Sequence, residues 1–215
     1  MFKKSLVAGQ AHLAKNDPLM ELIIDVYGDC TIKPHGNHYS ELVSSIVGQQ
    51  LSVKAAATIW QRVLALSGGT APTPSQLLKT DTEVLRACGL SYAKVSYVKD
   101  LAEHILDGRL DMVHIAGLPN QEVITQLTAV KGIGEWSAHM FLIFSLGRLN
   151  VLPVGDLGVK KAAQAVYKLK DLPDAATLKD LSDKRGWAPY ESVAAWYLWK
   201  SLDNTPQKTR HDVIT

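Results

Sequence analysis

Two amphipathic runs separated by only a few residues constrain this fold more than any other feature of the chain. Val123, Ile124, Leu127 and Val130 recur at helical spacing, the pattern breaks at Gly132-Ile133-Gly134, and Trp136, Met140, Phe141, Ile143, Phe144 and Leu146 take it up at once. The segment predicts helix, tight hairpin, helix. Its two glycines can take φ > 0 and carry no Cβ, so a polyanion can approach the backbone, and the N–H groups that open the second helix can hold a phosphate oxygen. On those three residues alone, a helix C-cap followed by a new helix fits equally well.

The rest of the chain reads as helix after helix. Helical spacing predicts elements over 10–27, 39–48, 52–66, 91–107, 111–115, 120–130, 135–146, 156–167, 174–182 and 188–201, with Ser52 placed to cap the third. Residues 67–72 form a loop, and Thr73-Pro74-Ser75-Gln76 and Thr80-Asp81-Thr82-Glu83 each have capping-box spacing. Alternating strand patterns are scarce, and the polar ending from Asn204 to Thr215 is expected to fray. An all-α chain follows.

Composition narrows the partners. The chain has 215 residues, 47% of them hydrophobic, enough to bury a core, and a net charge of only +2, so any basic footprint for nucleic acid must be local. Lys160, Lys161, Lys168 and Lys170 form one concentration, which reads equally as a solvated helix face. With no run of 18 apolar residues and no signal-peptide pattern, a cytoplasmic, nucleoid-associated protein is expected, nuclear if eukaryotic, with no membrane partner. Cys30 and Cys88 stand far apart, which excludes a zinc ribbon and a four-cysteine iron–sulfur cluster. His35 and His38 are the only close histidine pair and lack an evident third ligand, so no firm metal site is read. Phosphate-cradling glycine loops and His-Glu-x-x-His helices are absent from the sequence.

Downstream of the hairpin, Asp156 stands in Leu152-Pro153-Val154-Gly155-Asp156-Leu157-Gly158-Val159-Lys160, twenty positions after Trp136. Taken with Val130-Lys131-Gly132-Ile133-Gly134-Glu135-Trp136-Ser137-Ala138, with Ser45-Ile46-Val47-Gly48-Gln49-Gln50-Leu51-Ser52 and with the stretch from Trp187 to Trp199, this resembles the helix-hairpin-helix DNA glycosylase superfamily. The alkylation-repair branch, of the 3-methyladenine DNA glycosylase II type, is the nearer match over roughly residues 40–200.

The resemblance implies a single glycosylase core, residues 1–215, of two intertwined helical lobes with a central DNA- and base-binding cleft. It implies double-stranded DNA containing alkylated bases as the partner, a chain acting as a monomer, and no organic cofactor. Residues Lys131, Gly132, Ile133, Gly134 and Ser137 would contact phosphate, Gln50, with Gln49 as the second candidate, would fill the gap left by a flipped base, and Trp136, Trp199, Met140 and Tyr39 would line the base pocket. Gln49-Gln50-Leu51-Ser52 also reads as a plain helix connection, and Lys131 as a solvated lysine. A monovalent cation at the hairpin carbonyls is left open, because turn carbonyls converge there.

Asp156 would stabilise oxocarbenium character at the sugar and orient or deprotonate water. As a residue just before a helical run it also reads as an N-cap, and a helix N-terminus favours a charged carboxylate, so the two roles are compatible. Bifunctional superfamily members carry a lysine nucleophile at the position held here by Trp136, so the resemblance implies hydrolysis by water without strand cleavage. Two positions depart from the branch: Met140 replaces an aromatic, and Glu191 stands where an arginine is usual.

Overall fold

A computed structural model describes residues 2–202; the segment from Asn204 to Thr215 lies outside the described residues. Every regular element among them is helical. Helix α1 runs Phe2–Asn16 and α2 Pro18–Tyr27. The single helix expected over 10–27 is therefore two. Asp17 accepts from the N–H groups of Leu19 and Met20 as an N-cap, and Pro18, lacking an N–H, fits the first helical position but not a helix interior.

Next come α3 (His38–Gly48), capped by Asn37, and α4 (Val53–Ala65), whose Ser52 hydroxyl accepts from Ala55 N–H as expected. Helix α5 (Pro74–Lys79) opens with the full capping box of Thr73 and Gln76. At α6 (Thr82–Ala87) the cap is Asp81 rather than Thr80, because its carboxylate reaches Glu83 N–H, and the expected box is not made. Ser91 caps α7 (Tyr92–Leu106), and the element expected over 111–115 is a 3-10 turn at Ile115–Gly117.

Helix α8 (Asn120–Thr128) leads into the hairpin, and α9 (Glu135–Met140) widens into a π turn over Phe141–Ser145. Beside that turn, the Phe144 carbonyl accepts from His35 N–H, and His38 Nδ1 is 2.9 Å from Ser145 Oγ. Three helices complete the described residues: α10 (Leu157–Val166), α11 (Ala175–Lys184), capped by Asp174, and α12 (Glu191–Leu202). The last starts three residues later than the expected 188, since Pro189 disfavours helical backbone at the residue before it.

The chain divides into two compact units, Met1–Pro34 with Gly147–Thr215, and His35–Leu146. In the first, α12 is the central helix: every residue from Ser192 to Leu198 is buried, and α1, α2 and α10 pack against it. Trp187 is fully buried there and donates its indole N–H to Asp17. In the second, α7 is central, burying Val95, Val98, Leu101 and Ala102 against α3, α5 and α6. The hairpin of interest rests on this second unit.

Candidate active site

Within the unit His35–Leu146, the hairpin is built as the glycine spacing demands at one position and not at the other. Gly132 sits at φ +81 with the Tyr97 ring of α7 directly beneath it, so that a Cβ there would overlap the ring. Gly134 takes φ −94 in the extended region, as the N-cap of α9, and nothing lies within 4 Å of where its Cβ would be. Only the first glycine is therefore required by backbone conformation. No side chain caps the first turn of α9.

Lys131 is anchored rather than freely solvated. Its backbone N–H donates to Asp100 Oδ2 at 2.8 Å, and its Nζ lies 3.2 Å from Asp100 Oδ1. Burial alone would raise the Asp100 carboxyl, but the hydrogen bonds and charge of Lys131, with the nearby His104, outweigh it and hold the group below its ordinary value. The Lys131 side chain stays largely exposed beyond this tie, at 67%.

The turn after α3 faces the hairpin across a shared concavity of about 680 Å³, whose walls include Gln49, Gln50, Lys94, Gly132, Trp136 and Ser137. Gln49 donates its side-chain amide to the Gly132 carbonyl at 2.8 Å. A cation at that hairpin carbonyl would share it with this amide. Gln50, by contrast, is exposed and held at φ +57, a left-handed conformation uncommon for a residue with a Cβ. Trp136 is 50% exposed.

A second, smaller cavity of about 130 Å³ is lined by Met140 together with Gln49, Ile133, Ser137, Phe141 and Phe144. Met140 thus neighbours the hairpin residues. The Tyr39 hydroxyl donates to the Pro72 carbonyl at 2.6 Å, and burial pushes its ionisation far above the usual phenol range.

In the unit containing α10 and α12, Asp156 is 8% exposed and is the N-cap of α10. Its Oδ1 accepts from Val159 N–H at 2.7 Å and from the Trp199 indole N–H at 2.8 Å. The cap fixes the carboxylate, and the indole fixes it again from α12. Gly158 allows the approach, since a Cβ there would stand 3.0 Å from Asp156 Oδ1 and 3.1 Å from the Trp199 ring. Glu191 Oε2, at the position where arginine is usual in the resembled branch, is buried without a hydrogen-bond partner among the described residues.

Sequence reasoning missed three residues, Lys94, Tyr97 and Asp100, all on α7. Lys94 Nζ donates to the Val47 and Gln49 carbonyls at 2.8 and 2.7 Å. Their signal was present as a polar stripe at i, i+3 and i+6 on a helix that is otherwise apolar where it faces the core. Nothing local distinguishes such a stripe from a solvated face.

Known proteins resemble this chain in sequence and fold. The chain is 34% identical over 204 residues to DNA-3-methyladenine glycosylase 1 of Schizosaccharomyces pombe, covering 92% of this chain and 88% of the relative. A solved DNA-3-methyladenine glycosidase of Bacillus halodurans superposes with a TM-score of 0.81 at 42% identity, covering 90% of this chain and 88% of that one. A 3-methyladenine DNA glycosylase of Schizosaccharomyces pombe, solved in complex with abasic DNA, gives 0.79 at 32% identity over 94% of this chain and all of that one, 100%. Residues 43–186, which hold the Gln49-Gln50 turn, the hairpin and Asp156, match the HhH-GPD superfamily base excision DNA repair protein, and the chain belongs to that family.

Proposed function

We propose that this chain is a monofunctional DNA glycosylase that removes alkylated purines, of the 3-methyladenine and 7-methylguanine type, from double-stranded DNA. It acts as a monomer in base excision repair. The observation that carries the reading is the buried Asp156 carboxylate, oriented by the Val159 N–H and the Trp199 indole on one of its oxygens.

Cleavage of the N-glycosidic bond leaves positive charge on the sugar, and a fixed carboxylate stabilises that charge without having to reorganise during the reaction. Water supplies the nucleophile: its oxygen bonds to the anomeric carbon and gives up a proton to Asp156 or to solvent, the electron pair of the broken C–N bond departs with the base, and an abasic site remains. Trp136 occupies the position of the lysine that would instead form a Schiff base, which supports hydrolysis without strand cleavage.

Extruding the base costs a few kcal/mol, and least when the base is damaged. Gln50, exposed on a left-handed turn, is the side chain best presented to fill the vacancy; Gln49 is engaged with Gly132. Phosphate is held by backbone at Gly132 to Ser137, where α9 opens without a side-chain cap, with the exposed side chain of Lys131 beside it. Trp136, half exposed, offers an aromatic surface to a base made cationic by methylation, and such a base is also a good leaving group. Met140 brings a soft, polarisable wall.

The test incubates the protein with methylated duplex DNA, identifies released bases by mass, and runs Asp156→Asn in parallel. Release of 3-methyladenine or 7-methylguanine by the wild type, lost in Asp156→Asn with DNA binding kept or improved, is the expected result. An active Asp156→Asn variant overturns the carboxylate's role. A wild type that binds DNA and releases nothing points to a lesion sensor or to another damaged base.

A further inference from the structure

Helix α7 touches the turn after α3 and the hairpin of its unit at three successive turns. Lys94 donates to the carbonyls of Val47 and Gln49 at 2.8 and 2.7 Å, the Tyr97 ring lies beneath Gly132, and Asp100 accepts from Lys131 N–H at 2.8 Å. Three-residue spacing puts these side chains on one helical face. The Gln49 amide, donating to the Gly132 carbonyl at 2.8 Å, closes the circuit from the turn back to the hairpin. Helix, turn and hairpin are therefore joined by side chains around a closed path.

Val47 and Gln49 lie at the carboxyl end of α3, where carbonyls have no N–H of the same helix to accept from. A cation is the favoured partner there, because the helix dipole adds to the attraction. Burial pulls the Lys94 ammonium below the ordinary lysine pKa, as it must when a charge leaves water, and the two carbonyls are what it receives in exchange. One residue further on, Gln50 sits at φ +57. A residue with a Cβ stays in that conformation only when its surroundings impose it.

We propose that Lys94 is a positioning residue: by clamping the Val47 and Gln49 carbonyls it holds the Gln50 turn in register with the hairpin, and so controls insertion of Gln50 into the duplex. The inference rests on the reading of Gln50 as the inserted side chain. Lys94 acts through the turn and has no need to touch DNA.

The experiment separates insertion from chemistry. A duplex carrying a stable abasic analogue beside 2-aminopurine reports insertion by fluorescence and contains no base to cleave; single-turnover excision from methylated DNA reports catalysis. Lys94→Met keeps the aliphatic stem and removes the donors, and a lost charge-assisted hydrogen bond corresponds to about a tenfold or larger fall in the insertion equilibrium. Lys94→Arg, which restores charge and donors, should recover most of it. Excision should fall in its rate constant rather than in KM. The decisive comparison is the Gln50→Ala background, where Lys94→Met should add no further loss, because the side chain it positions is gone.

Wild-type insertion by Lys94→Met, or a full-sized further loss in the Gln50→Ala background, overturns the proposal. So does a wild-type signal that does not depend on Gln50. Failure of the wild type to release any base overturns the glycosylase reading and leaves the fluorescence result standing. Should Lys94→Met melt below the assay temperature, Lys94→Gln, with an amide donor on a shorter arm, is judged by the same comparison.

Discussion

Replacing each hairpin glycine by alanine separates what the fold requires from what DNA requires. Gly132→Ala places a methyl where the Tyr97 ring already stands, and the overlap extends to the ring carbon nearest the backbone, so a small tilt of the ring does not clear it. The backbone also sits at φ +81, where a left-handed residue with a Cβ costs about 1–2 kcal/mol. Crowding a packed contact adds about 1–3 kcal/mol. The sum is about 2–5 kcal/mol, and with about 2–4 °C lost per kcal/mol in a domain of this size the melting temperature should fall by roughly 4–20 °C. Gly134→Ala meets open space at φ −94 and should change stability by less than about 0.5 kcal/mol. If the Gly134 backbone approaches phosphate, that same harmless methyl should weaken binding to damaged and undamaged duplexes alike. Thermal melts and titrations with both DNAs check the pair. The double variant Gly132→Ala, Tyr97→Ala should regain stability relative to the sum of its parts, since the colliding ring is gone. Equal melting shifts for the two single variants, or a double variant that loses the full sum of its parts, refute the steric argument.

The same structure fixes the size and sign of other effects. Trp199→Phe removes the indole N–H that donates to Asp156 Oδ1 at 2.8 Å; loss of a hydrogen bond to a charged group, about 1.5–3 kcal/mol, should slow single-turnover excision by roughly 10- to 100-fold, and an unchanged rate contradicts the assignment. Asp17 is fully buried and accepts from Leu19 and Met20 N–H, the Tyr167 hydroxyl and the Trp187 indole. At about 1–3 kcal/mol for each donor left unsatisfied, Asp17→Ala should cost at least about 4 kcal/mol by urea unfolding, and a cost under about 1 kcal/mol would mean that water replaces the carboxylate. Asp100 is held below its ordinary value by Lys131, so its stabilising contribution is complete above the unfolded-state value near 4 and is lost as pH falls through the lower folded value. Asp100→Asn should therefore flatten the acid limb of the stability profile below about pH 4; a limb as steep as the wild type's assigns it to other carboxylates.

What the sequence determined by itself is what neighbouring residues decide. Ser52, Thr73, Ser91, Asp156 and Asp174 each cap the helix that follows, because a short polar side chain reaches N–H groups only two or three residues ahead. The split between α1 and α2 was written just as locally, in Asp17-Pro18, but the continuous apolar spacing across it masks the signal. Gly-Ile-Gly marks the hairpin, while the conformation of each glycine does not follow from the pattern: Gly132 needs φ > 0 because a ring from α7 lies under it, and Gly134 does not. The tertiary structure alone decided that the Trp199 indole holds Asp156 from 43 positions away, that the Tyr39 hydroxyl donates to Pro72, and that Lys94 and Asp100 serve a turn and a hairpin 45 and 31 residues distant. Helical periodicity says which face of a helix is polar, but only packing brings a carbonyl or an ammonium to that face, and the pairing is settled by distance in space, which residue spacing along one chain does not encode.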